Sequence, residues 1–553
     1  MSSAPRLSTR PRYLQIWLAR KLVLLLPLAG ILCPGQAALA QDGRLLVESL
    51  PGLGSPFDDQ LRVGQLLGQY ESGGYLIRST HTLAPADSIG GLRFKLYLPT
   101  ISSVWNSALP FSFNDGLVWA GRGWTTGVRG GVGIEWGRLF AELVPELIHH
   151  QNANFQTIPY PDDERSPFAS PFHTFPESLD LPLRFGDEPF IRIGPGQSRV
   201  GIRFAGLEGG LSSANEWWGP GIRNAIVLSS HAPGIPRLFI RIREPVDLGL
   251  GRLAGSWFGG TLRESAYFDT IPDNDTRGIA GIALAFTPAG VPNLTLGGAR
   301  VVYAPEGILF PFPVRLFEVF HKVGRPNDVP ATKHKREERA DQILSLFARW
   351  ILPKSGAEVY AEYARNERPK SPGDFLRRPG HASGYTLGGQ WLRPLRGGSM
   401  VRLQAEITYL EQNDDIFGRR AVPFYTSRPV PQGYTHQGQV IGAAIGPGGS
   451  SQWLAADLLG RAWRAGVFAG RIRWENDKLY LNPGFRFFFN HDVTVFGGVN
   501  STVEFGGWNV AFRWTRGTRL NYLFQNEPPG FDGLQAVDIT NHTLGISVSR
   551  ALD

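Results

Sequence analysis

The sequence contains very little sulfur and few charges: its 553 residues include one cysteine, two methionines and 19% Asp, Glu, Lys and Arg together. Cys33 falls within an N-terminal targeting segment, so the exported chain is expected to contain no cysteine. Beyond that segment no run of about 18 apolar residues remains, which excludes a protein that crosses membranes with helices. Glycine and aromatic residues are abundant instead, with 68 Gly, 34 Phe and 15 Trp.

Residues 1–40 have the three parts of a secretory signal peptide. Five basic residues precede the apolar run LVLLLPLAGIL, and Ala38-Leu39-Ala40 fits the small-x-small cleavage rule. We therefore expect a cleaved signal peptide and a mature chain that starts at Gln41. These five cations also account for most of the formal charge of +8, since no acidic residue lies among residues 1–40. The mature chain is nearly neutral, and nucleic acid is not an expected partner.

Polar and apolar residues alternate strictly over many segments after residue 90. The clearest are RVGIRF (199–204), RLFIRIR (237–243), MVRLQAEITY (400–409), VFAGRIRWE (467–475) and WNVAFRWT (508–515). Segments of about ten residues with this period and with aromatics near their ends are typical of transmembrane β-barrels. A soluble sandwich also alternates, but its polar face favours Thr, Lys and Ser over the Arg and Glu found here. We therefore predict an all-β fold: an antiparallel outer-membrane barrel of about 16–18 strands over residues 91–553.

Two further regions complete the predicted organisation. Residues 41–90 include SPFDDQLRVGQLLGQY, a short amphipathic helix with acidic residues at its start, predicted to form a plug inside the barrel or at its periplasmic mouth. The proline-rich stretches IPYPDDERSPFASPFHTFPES and SRPVPQGYTH are predicted to be long extracellular loops. The charge run TKHKREERADQ, from Thr332, is predicted to be a solvated turn before the strand ILSLFARWIL.

The stretch NEWWGPGIRNAIVLSS (215–230) places two tryptophans before a Gly-Pro-Gly turn and a predicted strand. An aromatic girdle at the membrane interface accounts for one of them. It does not account for both, since neighbouring strand residues point to opposite faces. The turn residues Gly219, Pro220 and Gly221 would make a rigid corner that presents polar groups and one indole to the lumen. The predicted sugar-binding residues are Asn215, Glu216, Trp217, Trp218 and Arg223.

This block also carries a family resemblance. NEWWGPGIRNAIVLSSHAPGIPRLFI resembles the NxWWGPG…LSxNAxPxP signature of the capsule assembly Wzi family, and ADQILSLFARWILPKSGAEVYAEYARNE and DDQLRVGQLLGQYESGGYLIRS are compatible with two further blocks of that family. The resemblance implies an outer-membrane barrel of about 18 strands with a helical plug on the periplasmic side. It also implies a lectin that holds capsular polysaccharide at the cell surface. The expected partners are then a surface polysaccharide, outer-membrane lipid and the barrel-assembly machinery. Both acidic and neutral polysaccharides fit this expectation. A monomer without cofactor or metal is expected.

The alternation also predicts a set of lumen-facing arginines. They are Arg203, Arg241, Arg243, Arg402, Arg471, Arg473 and Arg513. Such a set could bind an acidic glycan through bidentate contacts or filter anions in an open channel. Alternatively, each arginine pairs with a carboxylate such as Glu406 or Glu475 and braces the wall. The channel is the alternative function, and a purely structural adhesin scaffold is a third.

An enzyme is not expected. Ser229-Ser230-His231 and His149-His150 are the clusters that could suggest one. A serine hydrolase needs its base beside the nucleophile in space, together with a third orienting group, and adjacent strand residues point to opposite faces. The histidine pair has no further ligand at metal spacing.

Overall fold

The computed structural model describes residues 44–48, 50, 52–71, 73–83, 91–158, 166–173, 178–269, 271, 274–312, 314–323, 339–367, 369, 371–412, 422–481, 490–527 and 535–550. The predicted signal peptide and most of the charge run, residues 332–338, lie outside these ranges. In the described ranges no helix is both long and apolar enough to cross a membrane.

The described residues form four short helices and 28 strands. The helices are α1 Pro56–Leu66, α2 Thr80–Leu83, α3 Pro372–Arg377 and α4 Asn476–Leu481, with 3-10 turns at Val314–Phe320, Pro353–Ser355, Arg396–Gly398 and Tyr522–Phe524. The strands of the first half are β1 Arg44–Glu48, β2 Ile77–Ser79, β3 Arg93–Asn106, β4 Gly123–Trp136, β5 Leu139–Leu143, β6 Glu146–His150, β7 Phe190–Gly194, β8 Arg199–Phe204, β9 Leu207–Ser212, β10 Glu216–Trp218, β11 Arg237–Ile242, β12 Val246–Asp247, β13 Gly251–Arg263 and β14 Thr276–Pro288. Those of the second half are β15 Leu294–Pro305, β16 Asp341–Leu352, β17 Ala357–Arg365, β18 Ser383–Pro394, β19 Met400–Tyr409, β20 Thr435–His436, β21 Gln439–Val440, β22 Ser450–Leu459, β23 Trp463–Trp474, β24 Asp492–Phe505, β25 Trp508–Leu520, β26 Asn526–Glu527, β27 Gln535–Ala536 and β28 Ile539–Arg550.

The strands of the main sheet close into an antiparallel barrel of 18 wall strands, as predicted from the alternation. Three wall strands are interrupted: β5 with β6, β7 with β8, and β11 with β12 each form one. The barrel closes where β28 pairs antiparallel with β3, from Thr543–Asn106 to Val548–Ile101. Beyond that register the free edge of β3 is covered by β1, which runs parallel to it from Arg44–Arg93 to Glu48–Tyr97.

The two ends of the barrel differ in their connections. At one end, here the short-turn end, neighbouring wall strands are joined by tight turns such as 137–138, 205–206, 460–462 and 506–507. At the other, the long-loop end, the connections include 107–122, 151–189, 213–236 and 410–449. The described residues of both proline-rich stretches belong to connections of the long-loop end. Bacterial outer-membrane barrels place short turns in the periplasm and long loops outside the cell.

The outer surface of the wall is apolar, as the alternation predicts for β19 and β25. On β25, Trp508, Val510, Phe512 and Trp514 are 40%, 42%, 38% and 36% exposed, whereas Arg513 lies on the inner face. Large aromatics mark the outer face near the short-turn end: Phe94, Trp136, Phe204, Trp350, Trp391, Trp463 and Phe505. Trp124 and Tyr385 mark it near the long-loop end. An apolar belt between aromatic rings is the surface that a bilayer requires.

The predicted orientation of β23 is wrong. Its register aligns Phe468 with inward Ala455 and Ile472 with inward Ser451, so these apolar side chains face the lumen. The intervening Arg471 and Arg473 therefore lie on the outer face, near the long-loop end. Both faces of this strand carry aromatic or apolar residues, because the lumen beside it is filled with protein. The alternation of side chains along the strand therefore does not indicate which face is exposed to lipid.

The lumen is filled by an N-terminal plug (residues 52–83) and by loops that fold inward. The predicted helix is confirmed as α1, with Ser55 as its N-cap and Asp58 and Asp59 in its first turn. It lies inside the barrel at the short-turn end, where Arg62 pairs with Glu358 of β17. The inward-folded loops form a buried core that includes fully buried Trp218, Tyr425 and Tyr434.

Candidate functional site

The predicted binding block lies inside the barrel, on an inward loop formed by residues 213–236. Its strand β10 pairs antiparallel with β2 of the plug, Trp217 opposite Arg78. The backbone N–H of Trp218 donates to Leu228 O at 2.9 Å and that of Gly219 to Leu76 O at 2.8 Å. The two tryptophans are therefore not part of the outer aromatic girdle. The following segment, 222–230, is an irregular buried stretch and not the predicted strand.

Trp218 and Glu216 have packing and pairing roles. Trp218 has no exposed surface and packs against Phe258 with ring centroids 5.4 Å apart. Its Nε1–H donates to Glu216 Oε2 at 2.7 Å, and Arg237 donates to the other carboxylate oxygen at 2.8 Å. Both side chains are satisfied by protein groups, and they hold β10 against the wall.

The Gly-Pro-Gly turn requires its small residues. Gly219 adopts a φ of 114°, and a Cβ on it would lie 3.0 Å from Glu362 Oε2. A Cβ on Gly221 would lie 1.9 Å from the backbone oxygen of Asn224. Pro220 O accepts a hydrogen bond of 2.8 Å from Arg62 Nη2 of α1. The turn is therefore fixed to the plug, as expected for a rigid corner.

Glu406 of the wall strand β19 anchors residues 222–224, which follow the turn. It accepts backbone hydrogen bonds from Ile222 at 2.6 Å, Arg223 at 3.0 Å and Asn224 at 2.8 Å. It also accepts one from the Tyr360 hydroxyl at 2.7 Å. The idea that Glu406 and Glu475 neutralise the inward arginines is therefore wrong, since Glu406 binds backbone amides and Glu475 lies 2.9 Å from His173.

Four of the arginines predicted to face the lumen lie on inner faces of wall strands, and three of these have carboxylate partners. Arg203 pairs with Glu135 and Glu208, Arg241 pairs with Glu208 at 2.9 Å, and Arg402 pairs with Asp59 and Asp457 at 2.7 Å. The fourth, Arg513, has no carboxylate within 4.0 Å among the described residues. Arg243 follows β11 and is half-buried, whereas Arg471 and Arg473 face outward.

A chamber of about 460 Å³ remains between the plug, the inward loop and the wall from β22 to β28. Trp217, Arg223 and Arg513 line it. Asn215 lines a smaller adjoining cavity of about 230 Å³. Three of the five predicted binding residues thus face these spaces, whereas Glu216 and Trp218 do not line the chamber.

The chamber combines aromatic rings with guanidinium groups. The Arg223 guanidinium lies 5.4 Å from the centre of the Trp453 ring, and that of Arg513 lies 5.8 Å from the Phe468 ring. Phe113 also lines the chamber and stacks on Trp474 at 6.3 Å. These rings offer apolar faces beside charged hydrogen-bond donors.

Five buried polar atoms of chamber-lining residues have no hydrogen-bond partner in the described part of the chain. They are Trp217 Nε1, Arg78 Nη1, Arg464 Nε, Asn114 Oδ1 and Asn500 Oδ1. The set includes three donors and two acceptors. Buried polar groups nearly always have a partner, so these atoms favour a polar occupant of the chamber.

The charge balance of the chamber is positive. Its lining contains eight arginines and four aspartates. Asp115 acts on both Arg223 and Arg513, Glu406 acts on Arg223 as well, and Asp115 already accepts from Ser112 Oγ at 2.8 Å and Phe113 N at 3.1 Å. Burial, with a further contribution from the neighbouring cation of Arg513, lowers the pKa of Arg223 to about 10. Arg223 thus remains a cation at neutral pH.

The chamber extends to the short-turn end of the barrel. Its lining includes Arg464 and Arg550, which lie one residue from the start of β23 and at the end of β28. Toward the long-loop end it is bounded by Phe113, Asn114 and the inward loop. Sequence reasoning missed Asn114, Trp453 and Asn500. No local sequence pattern shows that residues of three distant segments line one cavity.

The serine–histidine cluster does not form a catalytic pair. Ser229 Oγ donates to Gly442 O at 2.6 Å and accepts from the backbone N–H of His231 at 3.0 Å. The His231 ring accepts from Asn114 N at 3.4 Å through Nδ1, and burial lowers its pKa to about 4. Among the described residues, no group of three His, Cys, Asp or Glu side chains could hold a metal ion.

Comparisons with known proteins show similarity in fold. No family model and no curated protein matches the sequence. The structure is similar to that of Wzi, described as an outer-membrane protein involved in group 1 capsule assembly in Escherichia coli and as a carbohydrate-binding β-barrel. That match has a TM-score of 0.53 at 12% identity and covers 82% of this chain and 85% of the other.

Other matches include proteins described as an outer-membrane channel and as porins. OccAB2 of Acinetobacter baumannii matches with a TM-score of 0.39 at 9% identity, covering 81% of this chain and 97% of that chain. OccK11 (OpdR) of Pseudomonas aeruginosa matches with a TM-score of 0.36 at 11% identity, covering 83% and 96%.

Proposed function

We propose that this chain is an outer-membrane barrel that binds carbohydrate and holds a surface polysaccharide, either capsular polysaccharide or exopolysaccharide, at the cell. The observation that carries the proposal is the lumenal chamber, in which the unpaired indole N–H of Trp217 lies on the same cavity as the guanidinium groups of Arg223 and Arg513.

The outer-membrane location is supported by the wall. Its outward face is apolar over the height of the strands, with aromatics near both ends, and every wall strand is paired with two neighbours, so no backbone edge needs water. The short-turn end then faces the periplasm and the long loops face outward.

Carbohydrate suits the chamber because a sugar ring has an apolar C–H face and polar hydroxyl edges. The faces of Trp453 and Phe113 offer stacking surfaces, and the unpaired atoms of Trp217, Asn114 and Asn500 offer one donor and two acceptors to hydroxyl groups. The excess of positive charge favours an acidic sugar, because a guanidinium binds a carboxylate in two parallel hydrogen bonds. A volume of about 460 Å³ lies within the range of small-molecule sites.

The choice of a surface polysaccharide rests on resemblance. The block NEWWGPG…LSSHAPGIP is similar to the signature of the Wzi family, and the fold is similar to a carbohydrate-binding barrel involved in capsule assembly. The alternative, a channel for small anions or oligosaccharides with an arginine filter, is less favoured. Arg203, Arg241 and Arg402 are neutralised by carboxylates, and a buried core occupies much of the lumen.

Binding to the purified protein tests this proposal. The full chain in detergent is titrated with polysaccharide purified from the surface of the cells that encode it. Trp217→Phe, which removes the N–H but keeps a ring, and the pair Arg223→Gln and Arg513→Gln are each expected to raise Kd by about tenfold, since a lost hydrogen bond to a charged or buried group is worth roughly 1.5 kcal/mol. Trp463→Phe on the outer face and Arg461→Gln in an exposed turn are matched controls and should leave Kd unchanged.

Two results would contradict the proposal in different ways. Wild-type protein that binds no polysaccharide would contradict carbohydrate binding itself. Wild-type binding that is unaffected by all chamber variants would move the site elsewhere, for example to the long loops, while leaving the function in place.

A further inference from the structure

Arg471 of β23 and Arg516 of β25 face outward on the wall, immediately beyond the apolar belt on its long-loop side. The register places Arg471 of β23 in one row with Val495, Thr518 and Thr540. Two residues nearer the short-turn end, a second row contains Ala469, Gly497, Arg516 and His542. The next row is apolar, from Val467 and Val499 to Trp514 and Leu544. We call Arg471, Arg516, Thr518, Thr540 and His542 the outer patch.

The cations of the outer patch are not neutralised by acids in the described part of the chain. Arg471 makes one weak hydrogen bond, 3.3 Å to Gln452 Oε1, and Arg516 is exposed with no carboxylate within 4.0 Å among the described residues. Arg473, one row further toward the long-loop end, differs because it donates to Glu411 at 2.7 Å. The patch therefore carries net positive charge on a surface that faces lipid.

Such a patch is expected only at the level of lipid headgroups. An arginine on the outer face of a barrel is strongly destabilising at the bilayer midplane and costs little near the interface. The position of both arginines beyond the apolar rows, toward the long-loop end, places them at the outer interface. Their neighbours are interfacial too: the Thr518 and Thr540 hydroxyls bond each other at 3.0 Å, and His542 stacks on Trp514 at 6.1 Å.

The spacing suits a single tetrahedral anion. Arg471 and Arg516 stand two strands apart and two residues apart in height, so their Cα atoms are separated by roughly 12 Å. Each guanidinium reaches about half that distance, and Gly497, which lies on the intervening strand β24 in the row of Arg516, has no side chain to fill the gap. We propose that the outer patch binds a phosphate group of a phosphorylated glycolipid in the outer leaflet. The acyl chains would lie on the apolar rows below.

This inference rests on the outer-membrane part of the proposed function and is independent of the lumenal chamber. A guanidinium pair recognises phosphate by charge-assisted bidentate hydrogen bonds. A lipid headgroup and free inorganic phosphate both offer this group. We assign the phosphate to a lipid, because the patch is continuous with the lipid-facing wall.

Native mass spectrometry of the full chain released from detergent tests the inference. The probes are bisphosphorylated lipid A, the same lipid with both phosphates removed, and inorganic phosphate. Wild-type protein should retain the bisphosphorylated lipid at least about tenfold better than the dephosphorylated one, and millimolar inorganic phosphate should not displace it. The double variant Arg471→Gln, Arg516→Gln should lose most of this preference, and Arg471→Lys, Arg516→Lys should keep part of it.

The matched control is Arg393→Gln, which removes an outward arginine beside Trp391 at the short-turn end. Its lipid preference should equal that of the wild type. Folding of each variant is checked by the mobility shift that intact barrels show on heating in SDS. Equal retention of both lipids by the wild type, or an unchanged preference in the folded glutamine double variant, would overturn the inference. Displacement by inorganic phosphate at its bulk concentration would overturn the assignment to a lipid.

Discussion

At the residue scale, the two adjacent tryptophans have different environments. Trp218 is fully buried and its indole N–H is bonded to Glu216, whereas the N–H of Trp217 is unpaired and the side chain lines the chamber. Arg78 lies over the Trp217 ring at 5.3 Å, which fixes the ring plane from one side. One residue thus packs in the inner core, and the other has an unpaired indole N–H beside the chamber.

This difference predicts that two single substitutions change the free energy of unfolding by different amounts. Trp218→Ala should lower the free energy of unfolding by roughly 3–5 kcal/mol, because it leaves a cavity in a close-packed core. Trp217→Phe should change it by less than about 1 kcal/mol. Urea unfolding in detergent measures both, with Trp463→Ala on the outer face as a comparison. A smaller loss for Trp218→Ala than for Trp217→Phe would contradict the assigned roles.

Sequence reasoning at this scale was correct where one face of a strand is plainly apolar. It identified Arg203, Arg241, Arg402 and Arg513 as inward, because their strands carry apolar residues on the alternate positions. It reversed Arg471 and Arg473, because the inward face of β23 meets protein and is itself aromatic. The contacts of Trp217 with the plug could not be predicted, since they depend on a strand pairing between residues about 140 positions apart.

At the element scale, the plug helix and the inward loop are held to the wall by buried charge. Arg62 of α1 donates to Glu358 at 2.8 Å and to Pro220 O at 2.8 Å, joining the helix, the wall and the turn. The carboxylate of Glu406 accepts hydrogen bonds from three backbone amides of the inward loop. The amphipathic pattern predicted α1 correctly, but no local pattern identifies Glu406 as the acceptor for amides in a distant loop.

Glu406→Gln should loosen the inward loop. An amide side chain carries no charge and presents one acceptor oxygen, so several of the hydrogen bonds from residues 222–224 and Tyr360 are weakened, at roughly 1.5–3 kcal/mol for bonds to a charged group. Hydrogen exchange of the amides of Ile222, Arg223 and Asn224 should accelerate by at least about tenfold. Glu504→Gln, at an exposed position near the short-turn end, is the matched control. Unchanged protection of the three amides would show that the loop is held by other contacts.

The contact between the helix and the wall predicts a loss of stability in acid. Burial alone would raise the pKa of Asp59, but the cations of Arg402 and Arg464 outweigh it and lower the pKa to about 2. A carboxylate with a lowered pKa in the folded state stabilises the fold above its unfolded pKa, near 3.8, and that contribution is lost as pH falls toward 2. The contribution is roughly 2 kcal/mol.

Unfolding measured between pH 5 and pH 2 should therefore show a smaller decline for Asp59→Asn than for the wild type. The variant should also be less stable than the wild type at pH 7, because it leaves Arg464 without its carboxylate. Parallel declines in the two proteins would contradict a role for Asp59 in acid sensitivity.

At the scale of the whole molecule, the barrel combines a lipid-facing wall with a largely filled interior. The alternation of polar and apolar residues was sufficient to predict a closed barrel of 16–18 strands, and the structure has 18. Length and strand period determine a wall of this size, whereas the filling of the lumen depends on loops with no regular pattern. The direction in which those loops fold could not be derived from the sequence.

The filled interior predicts very low conductance. In a planar bilayer, the full chain should show no stable ohmic steps comparable to those of open barrels with 16–18 strands. Regular steps that vary with anion type would instead favour the channel with an arginine filter. The Glu406→Gln protein provides a useful comparison, since a loosened inward loop should increase brief openings.

We propose that this barrel attaches polysaccharide to the cell. The most direct measurement is to delete the gene in its own host, restore it as wild type or as Trp217→Phe with Arg223→Gln and Arg513→Gln, and assay polysaccharide separately in the cell-bound and medium fractions. We expect the total amount of polysaccharide to be the same in all strains. Deletion should move polysaccharide from the cell-bound fraction into the medium. The wild-type gene should restore the cell-bound fraction, whereas the folded variant should restore it poorly. Identical fractions with and without the gene would contradict the claim.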